Sequence, residues 1–398
     1  MRALIVGGGI AGPATALALT KAGIEAVVFE RRPESLSEEG SYFTVAPNGL
    51  DALAAIDALD LVRDAGFPSR SNAMYGATGS RLGEVSIGSP LADGTPGISM
   101  KRSRMSALLG DEAERRGVQF RRDARVIGVT EDEEQATVEL EGGERVTGDL
   151  IIGADGVHSM VRRAIDASAP GARYVGLSNF GGITRGTPLA RQLEPEAWHF
   201  VFGARAFAGA HPTPNGDVVW FVNVPEPEIS RERRQTTSRE EWRAILIQLV
   251  EDDAGPLAAL IRAGELELAG DNTYDLPHVP TWASERMILI GDAAHAPSPS
   301  SGQGASLALE DAVVLAQALR DEDSVPRAFA SFERARRTRA EKIVAVGARS
   351  SSSKIPGPTG RRIQELILRF VFRVAVTDRS TAWISGHRLR WESPVLRP

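Results

Sequence analysis

The chain has 398 residues, more than one ordinary domain needs and enough for two lobes. Hydrophobic residues make up 42% and charged residues 25%, the balance of a soluble globular protein, and 52 acidic against 46 basic side chains give a formal charge of −6. That balance carries no electrostatic footprint for nucleic acid or anionic lipid, and the absence of cysteine excludes disulfides, thiolate metal sites, iron–sulfur clusters and a cysteine nucleophile.

Ala3 to Val6 is a short apolar run, as expected of a strand buried on both faces, and Gly7 to Gly9 is a turn. Ala14 to Ala22 reads as a helix stopped by Gly23, and Ala26 to Phe29 as a second buried strand ending at Glu30 and Arg31. A parallel β-α-β unit is the economical arrangement. The stretch from Ala3 to Leu19 lacks charge and follows Arg2, but Gly7, Gly8, Gly9, Gly12 and Pro13 break it, so it is a poor signal peptide; a cytoplasmic protein without a membrane span is expected.

Pro47 to Ala65 and Ser103 to Arg116 are expected to be helical, Gln119 to Leu140 to form short strands, and Leu150 to Ile152 to form another buried strand. From Ala172 to Val224 the style changes. Eight aromatic side chains, from Tyr174 to Phe221, stand in alternating runs separated by turns such as Pro214-Asn215-Gly216, which predicts an antiparallel sheet. Most of these aromatics should be sheet core, with some lining an apolar pocket; Phe202 and Trp220 are the candidates for substrate contact. Met287 to Ile290 returns to the buried-strand style, and helices should follow over Gly302 to Leu319 and Val325 to Arg349. Ser350 to Pro358 reads as a linker. Beyond it Arg361, Glu365, Arg369 and Arg373 fall on one stripe of a helix expected to dock across the lobes.

Three motifs carry chemistry. In Gly7-Gly8-Gly9-Ile10-Ala11-Gly12, the first glycine permits a tight turn, Gly9 lets backbone approach a pyrophosphate, and Gly12 lets helix pack on strand. Ile10 and Ala11 open a helix whose N–H groups face phosphates, and Glu30 stands where a carboxylate binds ribose hydroxyls. The second motif runs Gly153-Ala154-Asp155-Gly156 to Ser159 and Arg162; alone it also reads as an Asp-Gly turn with Ser159 capping a helix. The third is Gly291-Asp292 with His295, Pro299 and Gly302-Gln303-Gly304-Ala305-Ser306, where a strand-end carboxylate can hold sugar hydroxyls and a helix start can face an electron-rich ring edge. It reads also as an ordinary strand-loop-helix connection.

In this order and spacing the motifs resemble the FAD-dependent aromatic hydroxylases, the class A single-component flavoprotein monooxygenases of the p-hydroxybenzoate hydroxylase fold, especially the shorter salicylate-hydroxylase-like and tetracycline-modifying members. The resemblance implies an α/β fold: a Rossmann-type FAD-binding (GR2) domain with an inserted antiparallel β-sheet substrate domain and a C-terminal helix. The implied division is 1–70, 100–170 and 280–349 for FAD, 71–99 and 171–279 for substrate, and 350–398 for linker and C-terminal helix. Carried over by position, Gly7, Gly9, Ile10, Ala11 and Gly12 face the pyrophosphate, Glu30 and Arg31 the adenosine ribose, and the Val126 backbone the adenine. Arg102, with Arg104 as the alternative register, Asp155 and Asp292 flank the flavin and its sugar chain; Pro299 and Gly302, Gln303, Gly304, Ala305 and Ser306 line the isoalloxazine. Ser306 departs from the asparagine of many members, which favours backbone contact there.

The resemblance implies FAD reduced by NADH or NADPH, reaction with O2 to a C4a-hydroperoxyflavin, and insertion of one oxygen atom into an aromatic or polyketide-like small molecule. A flavin reductase or desaturase of the same fold, or a non-oxygenating flavin-binding sensor, are the alternatives. A base that deprotonates a phenol has three candidates, His211, Tyr42 and Arg185, while His295 is expected to be structural. The six histidines lack metal-ligand spacing, so no metal is expected, and monomer and dimer are both compatible with the sequence.

Overall fold

The apolar runs form one parallel sheet. In a computed structural model, which describes residues 1–33, 40–352 and 378–395, five strands lie in the order Met287–Leu289, Leu150–Gly153, Arg2–Val6, Glu25–Phe29 and Gln119–Arg121, each parallel to its neighbour. Their inner strands are covered on both faces, which is why they read as continuous apolar runs instead of alternating ones. The Ala11–Lys21 helix is buried along most of its length because the Arg102–Arg115 and Gly304–Asp321 helices flank it.

The segment expected as one helix from Pro47 to Ala65 is two, Pro47–Ala55 and Leu59–Ala65. Asp57 between them adopts φ 57°, a left-handed conformation that stops the first helix without glycine or proline. The last long helix, Val325–Ser352, runs three residues past its expected end into the serine run read as linker. The helix expected around 361–374 lies outside the described residues; Asp378–Ser385 is helical.

The second large sheet has seven strands, ordered Glu265–Asp275, Arg173–Thr184, Val218–Pro225, Phe207–Pro212, Ala197–Phe202, Ser71–Gly76 and Arg81–Ser86. It is mixed rather than purely antiparallel, because Ala197–Phe202 runs parallel to Ser71–Gly76, a strand contributed from far away in the chain. Helices Arg239–Val250 and Leu257–Ala263 close one face over Phe180, Trp220 and Val222. The other face carries Ile183, Trp198, Val219, Phe200 and Phe221, packed on Tyr42 and Phe67. Those two belong to a small sheet, Tyr42–Val45, Gly97–Lys101 and Phe67–Ser69, that stands between the two large ones.

Candidate functional site

The three motif loops meet at the carboxyl ends of the parallel strands. Gly7 has φ 111°, and a Cβ on it would lie 2.3 Å from the Ala154 carbonyl oxygen, so the first and second loops are in backbone contact. A Cβ on Gly12 would lie 1.9 Å from the Gly7 carbonyl oxygen, whereas one on Gly9 would meet nothing within 4 Å and face open space. Gly291, at φ 55°, sits against Ala11 and Ala308, which brings the third loop to the same place. The Ser106 hydroxyl donates to the Gly8 and Gly9 carbonyls at 3.0 and 3.2 Å and fixes the glycine turn.

Glu30 accepts the Gly8 N–H at 2.8 Å through one carboxylate oxygen and the Arg32 N–H at 2.8 Å through the other; Arg31 beside it is exposed. Val126 opens a strand of a separate three-stranded sheet and is half-buried, and Ala124 just before it donates to the Glu30 carbonyl. Asp155 turns inward: one oxygen accepts the Met160 and Val161 N–H groups at 2.7 and 3.2 Å, its other oxygen is buried without a partner, and burial pushes its pKa up. One oxygen of its side chain therefore caps the Met160–Ile165 helix together with Ser159. Arg162 is buried, not a surface residue, and its guanidinium donates to the Ala293 and Val157 carbonyls at 2.9 and 2.8 Å, tying the second loop to the third.

Arg102 lies 3.6 Å from the Asp292 carboxylate, both partly open to solvent; Arg104, the alternative register, is exposed and makes no ion pair among the described residues. Pro299 opens a 3-10 turn that Gly302 ends at φ 61°. Gln303 accepts from Asn48 at 3.0 Å, and the buried Ser306 hydroxyl accepts the Ala46 N–H at 3.2 Å, so both side chains are used within the protein. Below this loop lies a network the sequence reading missed. Asp311 accepts from Gly291 N–H and His295 at 2.8 and 2.6 Å and pairs with Arg336 at 2.7 Å; Glu310 pairs with Arg336 and Arg339 at 2.6 and 2.8 Å and accepts from Asn48 at 2.7 Å. Burial raises both carboxyls, but the Arg336 charge, with His295 at Asp311 and Arg339 at Glu310, outweighs it and holds each at about 2. Two adjacent acids inside the apolar run Leu307 to Leu319 were the signal that could have found it.

The donor set fits a dinucleotide. The Ala11–Lys21, Arg102–Arg115 and Gly304–Asp321 helices all begin at this cleft without a side-chain cap. Uncapped N–H groups and the positive ends of helix dipoles suit phosphates and an electron-rich ring edge.

The base candidates are dispersed. His211 is buried, its Nε2 2.9 Å from the Ser69 hydroxyl and its Nδ1 2.8 Å from the Pro212 carbonyl, and burial pushes its pKa down to about 4. Ser69, Ser99 and Thr44 continue from it as a hydroxyl chain at 2.7 and 2.6 Å, with the Trp198 indole donating to Thr44 at 2.9 Å. Burial, and then the Glu267 charge, push the Tyr42 phenol up to about 12. Arg185 is exposed, 3.7 Å from Glu265, on a surface cavity of about 530 Å³ that Lys101 and Glu267 also line. Burial thus disfavours both the protonated His211 ring and the ionised Tyr42 phenol. Phe202 lies on the open face of the seven-stranded sheet, its ring tilted 60° against that of Phe207 at 5.2 Å between centroids. Trp220 does not: strand side chains alternate, and it points to the helix-covered core, donating to Thr184 at 3.1 Å, so Phe221 takes the place expected of it.

Residues 1–346 match the family model described as "FAD binding domain". The chain is 30% identical over 353 residues to an aurachin C monooxygenase/isomerase of Stigmatella aurantiaca, covering 86% of each chain, and 30% identical over 349 residues to an FAD-dependent urate hydroxylase of Klebsiella pneumoniae, covering 86% and 88%. Among solved structures, Klebsiella pneumoniae HpxO complexed with FAD and uric acid is similar over 97% of both chains, with TM-score 0.82 and 26% identity.

Proposed function

The chain belongs to the FAD-binding family of aromatic hydroxylases and monooxygenases, an enzyme family whose cofactor is FAD, and on that premise we propose that it inserts one atom of O2 into an aromatic or polyketide-like small molecule with NADH or NADPH as reductant. The observation that supports this most is the meeting of three distant loops and three uncapped helix starts in one cleft, beside an aromatic sheet face.

When bound, FAD supplies the electron transfer and the activation of O2. The backbone of Gly7, Gly9, Ile10, Ala11 and Gly12 holds the pyrophosphate; Glu30, already fixed by Gly8 and Arg32, offers its remaining lone pairs to the adenosine ribose beside Arg31, and Val126 backs the adenine. Asp292 and Arg102 hold the sugar chain, while Asp155 and Arg162 hold the loop that Gly7 abuts. Pro299, Gly302, Gly304 and Ala305 present backbone to the ring, and Gln303 and Ser306 brace that loop from behind. The aromatic face, with Phe202 and Phe221, excludes water from the reacting substrate. Residues 1–70, 100–170 and 280–349 form the FAD part and 71–99 with 171–279 the substrate part in this reading. The aromatic class is tested by the purified yellow protein: a substrate should stimulate NAD(P)H consumption, and ¹⁸O₂ should place one heavy atom in the product. Stimulated consumption with unlabelled product would mean a reductase instead.

A further inference from the structure

The open face of the seven-stranded sheet is sorted by charge. Its side chains line up in rows across the strands, since register places Asn179 opposite both Asp271 and Asn223, Asn223 opposite Phe207, and Phe207 opposite Phe202. Two residues along, the next row runs through Leu268, Gly181, Phe221, Gly209 and Phe200. The third row, with His211 and Trp198, is closed by the Thr44, Ser69 and Ser99 hydroxyls. These rows contain no lysine or arginine, and their histidine stays neutral.

Two polar side chains interrupt the apolar rows. Asn179 and Asn223 are directly paired across neighbouring strands, which puts their Cβ atoms about 5 Å apart on one face. Both are half-buried, and neither side chain makes a hydrogen bond among the described residues, in contrast to Asn48 and Asn272, which are fully buried and bonded. Half-buried carboxamides without protein partners are left to water, and a ligand that displaces that water must replace its hydrogen bonds or leave them costly. Beside them Gly181 leaves a hollow: a Cβ there would find only the Trp220 carbonyl at 3.5 Å and Leu268 at 3.9 Å. The row begins at Asp271, on whose charge Arg234 and Arg102 act, and Arg102 is the residue beside Asp292 at the flavin cleft.

Resting on the monooxygenase reading above, we propose that Asn179 and Asn223 are a specificity-determining pair that selects a neutral aromatic heterocycle presenting an N–H donor and a carbonyl acceptor on one edge, a lactam or cyclic amide, over aromatic carboxylates. A carboxamide carries one acceptor and two donors, so two of them side by side satisfy both halves of a lactam edge. A carboxylate would be desolvated on a face whose marginal cations Arg102 and Arg185 are already paired, with Asp292 at 3.6 Å and Glu265 at 3.7 Å, and whose rows carry no lysine or arginine of their own. This separates the chain from 3-hydroxybenzoate hydroxylation, the reaction of one relative on an aromatic carboxylate, whereas urate, the substrate of another, carries such N–H and carbonyl edges.

The test uses oxidised holoenzyme without reductant and reads the flavin difference spectrum and tryptophan fluorescence on titration with 2-quinolone, N-methyl-2-quinolone and quinoline-2-carboxylate. The lactam is expected to bind at least about tenfold tighter than the other two, and Asn179→Leu/Asn223→Leu to erase that preference while retaining FAD. Single changes Asn179→Thr and Asn223→Thr, each expected to remove part of the preference, serve if the double variant does not fold. Equal or tighter binding of the carboxylate, a preference that survives the substitutions, or no response to any of the three overturns the assignment. Failure of the unaltered protein to hold FAD would instead strike the parent reading, and the 450 nm band of each sample separates the two cases.

Discussion

Two residues show how little space decides the chemistry. Gly9 faces open space and Gly12 faces a carbonyl, although both stand in one glycine motif. Gly9→Ala should therefore fold and retain FAD, whereas Gly9→Trp should fold as a colourless protein, since the ring fills the space proposed for the pyrophosphate; equilibrium dialysis against FAD with circular dichroism as the fold control checks this. His211 is the second. Its buried ring has a pKa of about 4 in the folded chain against an ordinary 6.5, so the unfolded chain takes up protons first as pH falls. Stability from this group is complete above pH 6.5 and lost as pH falls from 6.5 toward 4, about 2 kcal/mol between pH 7 and 5. Urea unfolding should show that slope, and His211→Gln, which keeps a partner for Ser69, should remove it. The identity of such a residue was legible in the sequence, but its neutrality was not, because that depends on Phe67 and Trp198 packing over the ring.

At the scale of elements, the strands and helices that depend on local pattern were legible: the β-α-β start, the buried strands near 150 and 288, and the three motifs. What needed distant partners was not. Which side of the Val218–Pro225 strand meets the flavin part is set by where the Arg239–Val250 helix docks, so Trp220 and Phe221 exchange roles although they are neighbours. The helix break at Asp57 has no sequence marker, and the parallel pairing of Ala197–Phe202 with Ser71–Gly76 is a non-local event. The Gly304–Asp321 and Val325–Ser352 helices are joined by Arg336, with two carboxylates and no water-exposed atom to spare. Arg336→Leu leaves Glu310 and Asp311 short of their counter-charge and should lower stability by about 3–5 kcal/mol, read from the urea midpoint at pH 7. Because Gly291 and Asn48 hang from the same two acids, FAD affinity should fall in parallel.

At the scale of the whole molecule, the buried hydroxyl chain from His211 to Thr44 and the indole of Trp198 join the aromatic sheet to the small sheet, and hence to the nucleotide part, through fully satisfied bonds. No stretch of the chain announces this seam, since serine and threonine on short strands read as ordinary surface. The described residues contain no helix long and apolar enough to cross a membrane. The route of the backbone has a practical corollary. It leaves the parallel sheet after Phe29, contributes Ser71–Gly76 and Arg81–Ser86 to the other sheet, returns for Gln119–Arg121 and Leu150–Gly153, and departs again before coming back at Met287. A chimera that exchanged only the longer excursion would seat strands of two parents side by side in one sheet, so grafting another substrate preference onto this scaffold demands that both excursions be transplanted together.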